Sequence, residues 1–88
     1  MLERLAAKEK VTGLKQTRRA VNAGRAEVVF LACDADPWLT EPLRVLCGQC
    51  RVTVEEGYTM EALGRAAGIS VGTAAAALLA EQKTVFPE

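Results

Sequence analysis

At 88 residues, half of them apolar, the chain has material for one small domain with a single core. It holds no apolar run of membrane-spanning length and no histidine, and three cysteines are a poor disulfide framework, so membrane spans, histidine chemistry and disulfide scaffolds are excluded. The net charge is zero but unevenly spread: residues 1–25 carry seven Lys/Arg against two Asp/Glu, and residues 26–88 carry four against nine, which points to a polyanionic partner or to a solvated N-terminal helix.

Leu2 to Lys10 reads as a short amphipathic helix, with Leu2 and Leu5 three apart. Thr12-Gly13 interrupts it, and a second helix follows from Gly13 to Asn22, with Gly24 as its stop. On a helical wheel Leu14, Thr17, Ala20, Val21 and Gly24 share one side, while Lys15, Arg18, Arg19, Asn22 and Arg25 share the other. Arg18 lies nearer the packing edge than Arg19. Lys15 falls in the first turn, where the macrodipole disfavours cations. Arg19 lies four residues on, so two like charges face each other at a cost of a few tenths of a kcal/mol. A segment that breaks local rules without structural gain is a candidate site. A polyanion docked at this helix end turns both costs into gains, which makes RNA or DNA the first hypothesis.

Val28 to Cys33 is a continuous apolar run, the pattern of a strand buried on both faces. Asp34 and Asp36 read as turn and helix cap, with Pro37 at the first helical position. Trp38 is expected to cover the edge of the core rather than stack on a base. Pro42 places the start of the regular helix near Glu41 and its end at Cys47 or Gly48, with Leu43 and Leu46 facing inward and Leu39 packing from the preceding turn. Arg51 to Val54 alternates like a short strand. Thr59 is the N-cap of a helix whose inner face is Leu63, Ala66 and Ala67 and whose end is Gly68. Gly68 to Gly72 is a loop in which Ile69 and Val71 either tuck into the core or cover a partner, and Gly64, Gly68 and Gly72 serve backbone geometry. Thr73 to Leu79 is a helix by alanine propensity or a closing strand. Residues after Ala80 are a polar tail or a short last helix. Helix–strand alternation in so short a chain implies an α/β fold, a three-layer α/β/α sandwich spanning residues 1–88 as a single domain.

Little here supports catalysis. No Ser/His/Asp or Cys/His set exists, and no paired carboxylates fall in an expected cleft, so neither an enzyme nor a cofactor is expected. Cys47-Gly48-Gln49-Cys50 has redox or zinc spacing. However, zinc wants four ligands and only Cys33 remains, and Cys47 falls near a helix end rather than a helix start. Incidental buried cysteines are the expected reading.

Three segments in order resemble one family: Gly13-Leu14-Lys15-Gln16-Thr17-Arg18-Arg19-Ala20, Cys33-Asp34-Ala35-Asp36-Pro37, and Leu63-Gly64-Arg65-Ala66-Ala67-Gly68-Ile69-Ser70-Val71-Gly72. Together they resemble the kink-turn-binding ribosomal-protein family (the L-seven-Ae / L-thirty-e superfamily) in its small bacterial branch, over nearly the whole chain. The resemblance implies a four-stranded mixed sheet in the sandwich and makes Thr73–Leu79 a strand. It also implies binding to a kink-turn, a sharply bent RNA internal loop flanked by sheared G·A pairs. By the same resemblance Gly13 lets the backbone approach RNA, and Lys15 and Gln16 stand where archaeal and eukaryotic members carry Asn-Glu. Arg19 matches a basic position that contacts phosphate or a base edge, and the Ile69-Ser70-Val71 loop packs on unstacked nucleotides. The expected RNA-facing set is Gly13, Leu14, Lys15, Gln16, Arg18, Arg19, Asn22, Ile69, Ser70 and Val71. The expected protein is a cytoplasmic, non-enzymatic monomer that needs no cofactor or metal and touches no membrane. Its expected partner is structured RNA, a kink-turn in ribosomal RNA or an mRNA leader, with ribosome or riboswitch association. The rival readings are a protein-interaction module on the same fold without RNA binding, and a CxxC thiol or metal module.

Overall fold

A computed structural model describes Leu2, Arg4–Ala7 and residues 9–80, so the expected tail or helix after Ala80 lies outside the described residues. The element order is α1 (Arg4–Ala7), β1 (Lys10–Thr12), α2 (Leu14–Asn22), β2 (Ala26–Ala32), α3 (Pro37–Gln49), β3 (Thr53–Tyr58), α4 (Met60–Ala66) and β4 (Ala75–Leu79). The strands form one four-stranded mixed sheet in the order β1-β4-β2-β3. β4 runs antiparallel to both its neighbours, and β2 and β3 are parallel. It follows that β1, β2 and β3 all end at one end of the sheet, where α2, α3 and α4 begin and β4 starts.

Helices cover both faces, giving the three layers. On one face Leu5, Val28, Phe30, Leu63, Ala76 and Leu78 form a buried cluster beneath α1 and α4. On the other, Val21, Val29, Leu31, Leu43, Cys47, Ala75 and Ala77 pack beneath α2 and α3. The alternating residues of β2 feed both clusters, as a run buried on both faces requires. All five residues of β4 are buried. Alanine favours helix in isolation, but this segment pairs on both edges in the middle of the sheet, and its small side chains let the helices approach from either side.

Several boundaries depart from the sequence expectation. Among the described residues of the expected Leu2–Lys10 helix, Arg4–Ala7 are helical, and Lys10 instead opens an edge strand, Lys10–Thr12, held by pairing with Ala76 to Leu78. α3 starts at Pro37 and runs through Pro42 without breaking, because Thr40, Leu43 and Cys47 anchor it on either side of the proline. Trp38 is 87 % exposed and Leu39 54 %, so neither covers the core. The first turn of α3 turns Thr40 inward instead, leaving Trp38 and Leu39 on its solvent side. The third strand is Thr53–Tyr58 rather than Arg51–Val54, because the end of α3 occupies Arg51 and Val52.

That helix end uses the same closure as α2 and α4. In each, the amide two residues past the C-cap returns to a carbonyl five residues back: Arg25 to Ala20, Val52 to Cys47, and Ile69 to Gly64. Gly24 and Gly68 supply the positive φ in two of these turns, and Arg51 adopts φ 57° in the third. Asp36 and Thr59 are caps as expected: the Asp36 carboxylate accepts from the Trp38 amide at 3.0 Å and the Thr59 hydroxyl from Ala62 at 3.0 Å. Asp34 lies in a turn as expected, but its carboxylate accepts from the Met60 amide at 2.8 Å and so ties that turn to the start of α4.

Candidate nucleic-acid interface

The end of the sheet where α2 begins gathers most of the sequence-predicted site. Gly13 sits between β1 and α2 at φ 91° and ψ 154°, a region closed to other residues. Its amide donates to the Ala75 carbonyl at 2.8 Å and to the Thr73 hydroxyl at 3.1 Å. That hydroxyl donates in turn to Ala75 at 2.8 Å, and the Thr73 amide donates to the Met60 carbonyl at 3.1 Å. Thr73 therefore ties the start of α2 to the loop that precedes β4 and to the start of α4. A Cβ built on Gly13 would meet nothing within 4 Å, so its outer side is open to a ligand.

α2 divides as its wheel predicts. Thr17, Ala20 and Val21 are buried, whereas Lys15, Gln16, Arg18, Arg19, Asn22 and Arg25 are exposed. Leu14 is half-buried and packs against the α2/α3 core, so it belongs to the anchoring side. The first turn holds no acid, and Gly13 offers no side chain to cap it. Among the described residues, no carboxylate pairs with Lys15, Arg18, Arg19 or Arg25. Other cations are engaged: Arg44 by Glu41 and Glu56, and Arg65 by Glu61 at 3.2 Å. The result is an unneutralised cationic face next to the unbonded amides of a helix start, which suits anionic ligands.

The second predicted segment lies beside it. Gln16 and Ile69 line one cleft of about 450 Å³, together with Glu9, Lys10, Val11, Thr12, Ala67 and Leu79. Ile69 also borders a second depression with Ser70, Val71 and Gly72. Ile69 is half-buried, Ser70 is exposed and Val71 is 68 % exposed, so the loop shows an apolar side chain to solvent. Gly64 and Gly72 hold the loop against α4. A Cβ on Gly64 would lie 2.1 Å from the Val71 carbonyl oxygen, and one on Gly72 would lie 3.1 Å from the Met60 backbone. Thr73 and the β1 residues of the cleft are absent from the sequence-derived set. From sequence Lys10 reads as the end of a helix and Thr12 as its interruption, so β1 gives no strand signal, and a threonine before an alanine run carries no local signal of a contact sixty residues away.

The cysteine pair lies in the last turn of α3. Cys47 is buried, while Cys33 and Cys50 are exposed, so the burial expected of the Cys47/Cys50 pair holds only for Cys47. Burial pushes the Cys47 thiol up, and neighbouring Cys50 adds to the shift, which works against a reactive thiolate. Among the described residues, no three Cys, Asp or Glu side chains gather as a metal site would need. No helix among those residues is long and apolar enough to cross a membrane.

Comparison with known proteins adds to this geometry. Residues 2–85 match the model of the ribosomal protein L7Ae/L30e/S12e/Gadd45 family. An RNA-binding protein of Geobacillus sp. (strain WCH70) is 39 % identical over 75 residues, covering 85 % of this chain and 92 % of that protein. The large ribosomal subunit protein eL8 of Halobacterium salinarum is 38 % identical over 69 residues, covering 77 % of this chain and 58 % of its own length. Among solved structures, the Giardia lamblia 15.5kD RNA binding protein superposes with a TM-score of 0.82 at 30 % identity, covering 92 % of this chain and 69 % of that one.

Proposed function

Because the chain belongs to the ribosomal protein L7Ae/L30e/S12e/Gadd45 family, we propose that it binds RNA through the start of α2 and the Ile69–Val71 loop, and that its target is a kink-turn. The observation that carries this reading is the shared cleft of Gln16 and Ile69 on the helix whose Lys15, Arg18 and Arg19 pair with no carboxylate among the described residues. A regular A-form major groove is too narrow for side chains, so RNA is read where it is distorted. A bent internal loop offers both things this surface can use. Its crowded phosphates meet Lys15, Arg18 and Arg19, and its splayed bases meet Val71 and Ile69. Gln16, with a donor and an acceptor, reaches base edges, and Asn22 extends the polar strip along the helix. Gly13 allows the RNA backbone close approach.

The RNA is a kink-turn of ribosomal RNA or of an mRNA leader, met in the cytoplasm by a monomer without enzymatic activity. A mobility-shift titration compares a kink-turn RNA with the same RNA whose G·A pairs are made Watson–Crick. The expected result is binding to the first and a loss of at least tenfold on the second. Equal binding to both, or to neither, overturns the kink-turn target.

A further inference from the structure

A second surface remains unused by the RNA reading. The exposed side of α3 carries Trp38, Leu39 and Val45 at 87 %, 54 % and 51 % exposure. A groove of about 610 Å³ runs along it, lined by Pro37, Trp38, Glu41, Pro42 and Val45. Isolated apolar side chains on a surface need no explanation, but a contiguous patch around an exposed tryptophan marks a docking site. No fold requirement accounts for Trp38, whose side chain leaves the core while its amide is already satisfied by Asp36.

The charges around the groove choose among partners. Asp36 precedes it and Glu41 lines it. The cation on this stretch of α3, Arg44, is held by Glu41 and by Glu56 of β3. Asp34 lies in the turn leading into the helix. This balance is acidic, opposite in sign to the face of α2, and it repels a phosphate backbone. We propose that the groove docks a cationic amphipathic segment of a protein partner, whose apolar side chains cover Trp38 and Val45 and whose Lys or Arg side chains meet Asp36 and Glu41. From Pro37 to Val45 the groove spans about 12 Å of helix, room for apolar anchors one or two helical turns apart. Because α2 and α3 begin at the same end of the sheet, a partner docked here sits beside the RNA face without occupying it.

Trp38 is the only tryptophan of the chain, so its emission reports on the groove alone. The test uses the whole chain with a labelled helical Leu/Lys peptide, a matched Leu/Glu peptide, and a kink-turn RNA. The Leu/Lys peptide shifts Trp38 emission to the blue and binds with an affinity that falls with salt. Trp38→Ala and Glu41→Lys each weaken it at least tenfold, while far-UV circular dichroism stays unchanged and kink-turn binding is kept. Equal binding of the Leu/Glu peptide, or unchanged peptide affinity in both variants, overturns the proposal. A Trp38 response to RNA and not to the peptide overturns it in favour of an extended RNA surface.

Discussion

α2 and α3 begin at the same end of the sheet, cover the same face, and start in opposite ways. α3 has an Asp36 cap with its hydrogen bond made, a proline at N1, and an arginine neutralised by two glutamates. α2 starts from a glycine that caps nothing, puts Lys15 in its first turn with Arg19 four residues on, and leaves both unpaired among the described residues. Sharing layer, direction and core, the two differ in what their first turns face. Local stability is built into one, and withheld from the other where an anionic ligand can supply it.

The two helix starts differ most at their caps. Gly13→Ala introduces a Cβ into open space but forces an L-residue into a glycine-only conformation, at a cost of about 1–3 kcal/mol in urea unfolding. RNA binding falls with it, because the start of α2 must shift. Asp36→Ala loses a single cap bond and costs about 1 kcal/mol, with RNA affinity unchanged. If Asp36→Ala weakens RNA binding as much as Gly13→Ala does, the two helix starts are not functionally distinct. A finer probe is Arg19→Ala, which flattens the log–log salt dependence of RNA binding by about one unit if it contacts one phosphate. An unchanged slope removes Arg19 from the phosphate contacts.

Much of the candidate site is legible because its signals are local. A glycine, a misplaced lysine and a cationic stripe at helical spacing identify α2, and Asp36 and Thr59 announce caps within three residues of what they bond. What was hidden depends on distant partners. β1 is a three-residue edge strand defined by β4, so Leu2 to Lys10 reads as helix. β4 is an alanine run that becomes a strand because strands flank it on both sides, which the family resemblance supplied and propensity did not. Pro42 suggested a late start for α3, and only the anchors of Leu43 and Cys47 carry the helix through it. Thr73 meets Gly13 across sixty residues of sequence, so the bond that joins the two halves of the candidate interface leaves no local trace.

Whether the start of α2 trades stability for an anionic ligand is tested by Lys15→Glu on one preparation, by urea unfolding and kink-turn titration. The substitution places an anion at the positive end of the helix and an attractive partner four residues before Arg19. Opposite signs are expected: stability rises by a few tenths of a kcal/mol, while RNA binding weakens by roughly 2 kcal/mol, about thirtyfold. Unchanged RNA affinity, or a loss of stability alongside a loss of binding, would contradict it.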